Sequence, residues 1–495
     1  MIERERIVSD VARLFTGTCI AQAAGLLRAV FLPAVFAPAQ LGSWNLMNVL
    51  IGYGANVHLG ILHGMNKSLP VMKAEARLGD RERLKNTAFW MCLIQAGILS
   101  LVLYAISFFV SAAYGSALQA VSVVVLLQQL FCYFSSLLRA DHMFASLSNV
   151  IISQAVASSI LVFALAYVFP DRVFGALLGL ALSFAVTVAY FLVFSPYRFP
   201  PEISGAMVQH GYREGLPLIV IGLIDMLFLS ADRWVVSWAF PGAVMGYYAL
   251  GIMACNLLGI VPTSIANVLF PRMLEEYGTT RSPSSVGRFL FNPTRAVAII
   301  MAGLVVAAGL FLPAAVRLLL PAYDSAIPLL GILVPGAFFI GISQVAGSYL
   351  VAINRQRLMV VVQVAGIVTC LGLNWLFLSE GYGIRGAAVA TVCGYSVYGG
   401  GYLTLAAWYA TGGWRPALAF ATELAVIFGG ALVALAAAKT VTSDRVGWSG
   451  ELLTLAFQLV LGMVVLAPML WLFGRNKGVL AFIWREAAGR LRRAG

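Results

Sequence analysis

A chain of 495 residues that is 61% hydrophobic and only 11% charged is not an ordinary soluble protein, in which about a quarter of residues carry charge. It is a polytopic membrane protein. Its net charge of +12 reflects Lys and Arg retained on the cytoplasmic side, not nucleic acid, which is excluded as a partner.

The N-terminus, MIERERIVSDVAR, is charged and leads into an apolar stretch ending near Phe36. That stretch is too long for a signal-peptide core and lacks a small-residue cleavage site, so it is read as the first membrane helix. A span needs about 20 mainly apolar residues. With polar or Pro/Gly punctuation between spans, the pattern predicts an all-α fold of fourteen transmembrane helices. They lie at 12–36, 41–64, 88–112, 116–138, 146–169, 173–195, 214–239, 243–268, 294–319, 325–351, 359–379, 384–409, 416–438 and 450–473.

Charge placement tests the count. With the N-terminus inside, the basic residues gather in the even-numbered connections and the tail: Lys67, Lys73, Arg77, Arg81, Arg83 and Lys85; Arg272, Arg281 and Arg288; Arg355 and Arg357; and RNKGVLAFIWREAAGRLRR. The outer connections hold chiefly Arg172, Arg385, Lys439 and Arg445. This asymmetry places both termini in the cytoplasm. The outer connections are short, which disfavours a membrane polymerase or ligase that works through a sizeable external loop.

An internal repeat organises the helices. From Arg28 the chain reads RAVFLPAVFAPAQLGSWNL, and from Arg233 it reads RWVVSWAFPGAVMGYYAL. With one residue of gap, Arg28 matches Arg233, Gly42 matches Gly246 and Trp44 matches Tyr248. VFGALLGLALSFAV (173–186) matches IRGAAVATVCGYSV (384–397), setting Gly175 against Gly386. The predicted domains are an N-terminal lobe at 1–205 (helices 1–6), a C-terminal lobe at 206–412 (helices 7–12), helices 13 and 14 at 413–474, and an amphipathic cytoplasmic tail at 475–495. Six helices per half make the repeats parallel, the arrangement of two lobes around a central cavity in secondary transporters.

Arg28 and Arg233 then occupy matched places. A basic residue facing lipid near the bilayer centre costs about 2.5–3.5 kcal/mol, so such residues face protein or water. Two of them predict a cationic cavity. The alternative is that Arg233 pairs with Asp232 or Asp225, or snorkels to the interface beside Trp234 and Trp238. Asp225 and Asp232 are candidates either for coupling to H+ or Na+ or for plain charge pairing. Asn45, Asn48, Asn56, Gln22, Asn256, Tyr247 and Tyr248 are candidates to line the cavity, with helix bridging or interfacial anchoring as the alternative. Lys67 stands at the cytoplasmic rim.

Other signals carry less. The six cysteines, Cys19, Cys92, Cys132, Cys255, Cys370 and Cys393, are scattered singly and read as small core hydrophobes. GYGIRG at 381–386 follows a helix and not a strand, so it reads as a tight turn. GALLG at 175–179 reads as packing within a lobe. His58 and His63 have no carboxylate nearby in sequence, so a metal site is not expected there. Glu423 is read as a packing residue. Leu69, Met72, Ala76 and Leu84 suggest a surface helix over 66–87, and Leu480, Ile483, Trp484, Ala487 and Leu491 an amphipathic one in the tail. There is no Walker sequence, and neither an enzyme activity nor a cofactor is expected.

ADRWVVSWAFPGAVMGYYAL, KSLPVMKAEARLGDRERLK, LFPRMLEE after helix 8 and YGIRGAAVAT together resemble the polysaccharide biosynthesis protein family. That family includes Wzx-like flippases for O-antigen and exopolysaccharide, within the multidrug/oligosaccharidyl-lipid/polysaccharide exporter superfamily. The resemblance spans nearly the whole chain. It implies translocation of a polyprenyl-diphosphate-linked oligosaccharide from the cytoplasmic to the periplasmic leaflet of a bacterial inner membrane, with membrane lipids and a polysaccharide polymerase as partners. On that reading Arg28 and Arg233 take the diphosphate and Lys67 makes the first contact. The rivals are an ion-coupled multidrug/cation antiporter of the same superfamily, which would want acidic cavity residues, and, from another class, a membrane glycan polymerase or ligase. Lipid II transport is less favoured, because its family carries more charge in the first lobe's cavity than is found here.

Overall fold

The computed structural model describes residues 2–141, 143–194 and 197–440, and helical positions 454, 456–462, 464, 465 and 467. The amphipathic tail and most of predicted helix 14 lie outside these residues. Sixteen α-helices are described: α1 (Ile2–Val35), α2 (Pro38–Gly54), α3 (Ile61–Ala74), α4 (Leu78–Ile106), α5 (Ala112–Ala140), α6 (Phe144–Val168), α7 (Arg172–Phe194), α8 (Gly205–Ala239), α9 (Gly242–Leu258), α10 (Ile260–Thr280), α11 (Pro283–Val286), α12 (Arg288–Leu319), α13 (Ile327–Ala352), α14 (Gln356–Ser379), α15 (Gly383–Thr411) and α16 (Trp414–Lys439). No strand occurs among the described residues. An all-helical chain satisfies its backbone within each span, as hydrocarbon requires.

Among the described residues, eleven spans are long and apolar enough to cross a membrane by themselves. α15 is continuous over 29 residues, but its Gly, Tyr and Thr content keeps it below that level of apolarity. Predicted helix 2 is corrected: it is two helices, separated by residues 55–60. Leu59 (φ 46°) and Gly60 (φ 100°) are left-handed there. The Gly60 N–H is taken at 3.0 Å by Nδ1 of His58, so a side chain displaces the helical acceptor. Predicted helix 8 is likewise two helices with a break at Gly259. Pro262 has no N–H to offer the Leu258 carbonyl four residues back, which explains the interruption. In the register that sets Gly42 on Gly246, residue 55 falls on Gly259, so both repeats break at the matching place.

The helices gather into two compact units, residues 1–226 with 241–246 and residues 227–240 with 247–495. In the first, α4 packs on α5, α5 on α7, and α7 on α6, which also carries α1. In the second, α12 packs on α13, α13 on α15, and α15 on α14. The neighbour order is the same, as the sequence repeat predicts. α16, outside the repeat, lies on α12 and α15. Small residues allow the closest approaches. A Cβ at Gly175 or Gly179 of α7 would come within 2.3 or 2.4 Å of the carbonyl oxygens of Leu165 or Leu161 on α6, so GALLG packs within its unit. The repeat-matched Gly42 and Gly246 belong to one close contact between α2 and the start of α9: a Cβ at Gly42 would lie 2.9 Å from the Gly246 amide nitrogen.

The surface helix expected over 66–87 is also corrected. Leu69, Met72 and Leu84 are buried with Phe89, Tyr133 and Phe134 in an apolar core, because α3 and α4 turn their ends inward onto α5. The segment joining α7 to α8 is strapped to the same core. Phe199 stacks on Phe89 at 4.5 Å, the Trp90 indole donates to the Pro200 carbonyl at 2.9 Å, and the Ser204 amide donates to Thr87 Oγ1 at 3.1 Å.

Candidate functional site

The predicted residues fall into two groups, one in each unit. In the first, α1 places Arg28 half-buried, its guanidinium donating to Ser158 Oγ of α6 at 3.3 Å. On α2, Asn48 donates to the Trp44 carbonyl at 2.7 Å. Asn56 donates to the Gly52 carbonyl at 3.2 Å. Both are backbone bonds one turn back, which leave the amide oxygens available. Asn45 is buried, and its Oδ1 has no hydrogen-bond partner among the described residues. Gln22 is exposed on α1. Lys67 on α3 pairs with Glu214 of α8 at 2.6 Å, with 64% of its own side chain exposed. Exposure on that scale leaves the ammonium open to a further anion, and the pair itself is weak. Asp225, also on α8, is half-buried.

In the second unit the central group is Asp232, which is 1% exposed. Its Oδ2 accepts from the Tyr248 hydroxyl at 2.5 Å and its Oδ1 from the Arg233 backbone amide at 2.8 Å. The Tyr248 hydroxyl also meets Thr391 Oγ1 of α15 at 2.9 Å. Asn374 of α14 follows, donating to the Cys370 carbonyl at 2.9 Å, while its buried Oδ1 has no partner. Arg233 is half-buried, and its Nε is buried without an acceptor. No ion pair joins its guanidinium to Asp232 among the described residues. Tyr247 sets its ring edge against Tyr323 at 6.3 Å, and Asn256 is exposed.

Sequence reading missed Thr391, Asn374, Ser158 and Glu214. Thr391 stands inside the repeat segment IRGAAVATVCGYSV, and Glu214 is an acidic residue at the head of a predicted span. Both signals were present, yet neither names a partner 143 or 147 residues away. Glu423 is held by Arg295 of α12, whose Nε and Nη2 donate to its two oxygens at 2.7 and 3.1 Å, a bidentate pair that fixes helix packing. Cys92, Cys255 and Cys370 are buried, while Cys132 and Cys393 are half-buried, all as free thiols. Among the described residues no three His, Cys, Asp or Glu side chains are placed to hold a metal.

At the end of the first unit where α4 begins, Asp141 takes Arg81 and the Tyr197 hydroxyl. Burial, then the bond to Asp141, push the Tyr197 phenol above its ordinary range. A cavity of about 370 Å³ in this unit is lined by Ser146, Asn149, Ser153, Thr187 and Tyr190 among apolar side chains. It includes none of the predicted site residues.

Comparison with known proteins gives two results. The family described as polysaccharide biosynthesis protein matches residues 71–328. Among solved structures, the lipid II flippase MurJ in an inward closed conformation is similar at a TM-score of 0.70 and 14% identity, covering 94% of this chain and 99% of that one. A multidrug resistance MATE family transporter of the MOP superfamily, inward-facing, is similar at 0.65 and 16%, covering 84% and 99%. A MOP superfamily transporter from Pyrococcus furiosus, described as having a binding pocket of reverse polarity, is similar at 0.52 and 16%, covering 86% and 96%. At these identities the likeness is one of fold. No curated protein matches the chain by sequence.

Proposed function

The chain belongs to the polysaccharide biosynthesis protein family, and from that premise we propose that it is a flippase moving a polyprenyl-diphosphate-linked oligosaccharide between leaflets of a bacterial inner membrane by alternating access. The cargo has an anionic diphosphate, a glycan that hydrocarbon rejects and a tail that can stay in lipid. A transporter for it needs fixed cations and hydroxyl-binding groups inside the membrane, and no chemical step.

The observation that carries this reading is Arg233. It sits within an apolar span, its Nε is buried without an acceptor among the described residues, and the neighbouring carboxylate is engaged by Tyr248 and a backbone amide. A guanidinium so placed is ready for phosphate oxygens, which it can take two at a time. Arg28 at the matching place in the repeat donates to a serine hydroxyl. Asn45, Asn48 and Asn256, with Tyr247 and Tyr248, are proposed to supply polar and aromatic surface to the glycan, and Lys67 to meet the headgroup first. Asp232 is proposed as the group through which H+ or Na+ drives the cycle, with Asp225 as its alternate. O-antigen or exopolysaccharide assembly is the proposed setting, with a polysaccharide polymerase downstream.

The test is leaflet translocation of a polyprenyl-diphosphate oligosaccharide by the purified protein in proteoliposomes. Arg28→Ala and Arg233→Ala are each expected to abolish it while the protein remains folded. Full activity in both single variants and in the double variant would remove the cationic site from the reading. The buried Asp232 keeps a second reading in view, an ion-coupled exporter of cationic compounds; efflux of a cationic dye without glycolipid translocation would select it.

A further inference from the structure

We propose that the crossing of α3 on the first half of α8 is a proton-sensitive gate, hinged at residues 55–60 and governed by His58. As a gate it rests on the transport reading above; its response to protons does not.

Gly60 and Gly64, at the head of α3, meet Gly211 and Gly215 of α8 backbone to backbone. A Cβ at Gly215 would lie 1.8 Å from the Gly60 carbonyl oxygen, and one at Gly64 would lie 2.1 Å from that of Gly211. No side chain fits at these points, so the contact is lost as soon as the two helices separate slightly. One turn along, two polar bonds latch it: Ser68 Oγ to His210 Nε2 at 2.9 Å and Lys67 Nζ to Glu214 at 2.6 Å. Three of the chain's four histidines, His58, His63 and His210, stand at this one crossing.

His58 is the buried one, 5% exposed. Its Nδ1 accepts the N–H of Gly60 at 3.0 Å, and that bond holds the left-handed turn through which Gly60 presents its carbonyl to Gly215. Only unprotonated Nδ1 can accept; an imidazolium donates from both nitrogens. A proton on His58 therefore removes the acceptor from the amide that sets the turn. It also places charge 5.3 Å from the ring of His63, near Arg139 of α5. On α8, His210 and Glu214 meet α3, the latter already bound by Lys67, with Arg213 close to Glu214. These groups offer the new cation repulsion, and the one carboxylate among them is already paired with Lys67, so protons pull the crossing toward its loosened form.

The experiment is hydrogen–deuterium exchange of the purified full-length protein, followed on peptides covering 58–74 and 205–220 and corrected for the pH dependence of chemical exchange. Protection in the wild type is expected to fall between about pH 7.5 and about pH 5.5, by up to roughly tenfold per pH unit below the ordinary His range, the limit for one coupled proton. In His58→Asn the amide oxygen can accept from Gly60 and cannot be protonated, so protection should stay high at both values. In His58→Ala it should be low at both. A wild type that shows no pH response, or an Asn variant that loosens like the wild type, overturns the proposal. Because the readout needs no cargo, failure here leaves the flippase reading standing, and a failed translocation assay leaves this test valid.

Discussion

Asp232 is a carboxylate taken wholly out of solvent, and its two oxygens are met by donors of different kinds, a phenol and a main-chain amide. The amide comes with the helix and is indifferent to side-chain substitution. The phenol depends on one residue sixteen positions later in the chain, itself completely buried. Tyr248→Phe keeps the ring and its packing but strips one donor from a buried acceptor. Hydrogen bonds to charged groups contribute about 1.5–3 kcal/mol, so thermal unfolding in detergent should show a loss of that order. Thr391→Val, which leaves the Tyr248–Asp232 bond intact, should cost less, about 1 kcal/mol. Equal losses would mean that Thr391 and not Asp232 is the hydroxyl's main partner. Sequence alone could single out Asp232, because a carboxylate in an apolar run is conspicuous. It could not name Tyr248 as the partner, since Tyr248 lies on the next helix, α9, and only tertiary packing brings the two side chains together.

At the scale of elements, the unrepeated helix α16 carries an ion pair to α12 with most of both side chains covered, 15% and 12% exposed for Arg295 and Glu423. The guanidinium also lies 5.0 Å from the Phe420 ring. Removing one partner of such a pair strands the other charge, at about 3–5 kcal/mol, whereas replacing both with apolar side chains of similar size is often neutral. Glu423→Ala should therefore destabilise the protein strongly, and Arg295→Met with Glu423→Leu should restore most of the loss. Chemical denaturation of the single and double variants measures the coupling. If the double variant is no more stable than the single one, the pair does more than hold the helix, and a role for Glu423 in coupling returns. The spans themselves were legible because length and apolarity are local properties. The breaks in predicted helices 2 and 8 were not, because one rests on an imidazole diverting a backbone N–H and the other on a proline whose effect falls four residues upstream. The buried faces of Leu69, Met72 and Leu84 were misread for a related reason: an amphipathic stripe does not say whether lipid or another helix covers its apolar side.

For the whole molecule, the repeat was legible in residues matched across about two hundred positions, and the two units reproduce it as the same order of neighbouring helices. Orientation rests on different physics, the reluctance of Lys and Arg to be translocated. Fourteen spans with the basic connections inside require both termini in the cytoplasm, the α16 start near residue 413 inside, and the segment 440–449 outside. Reporter fusions, one active only in the cytoplasm and one only in the periplasm, placed after residues 74, 171, 413, 445 and 495, give a pattern that only this arrangement satisfies: inside, outside, inside, outside, inside. The position after residue 74 decides most, because it follows the broken pair α2 and α3. Neither helix is long enough to span alone, 17 and 14 residues, while together they cover the thickness of a bilayer at about 1.5 Å per residue. A periplasmic signal there would mean that the pair re-enters on the side it left and that every later span is inverted. A cytoplasmic one makes α2 and α3 a single interrupted crossing and sets the α3–α8 contact, with Lys67 and its basic neighbours, on the cytoplasmic face.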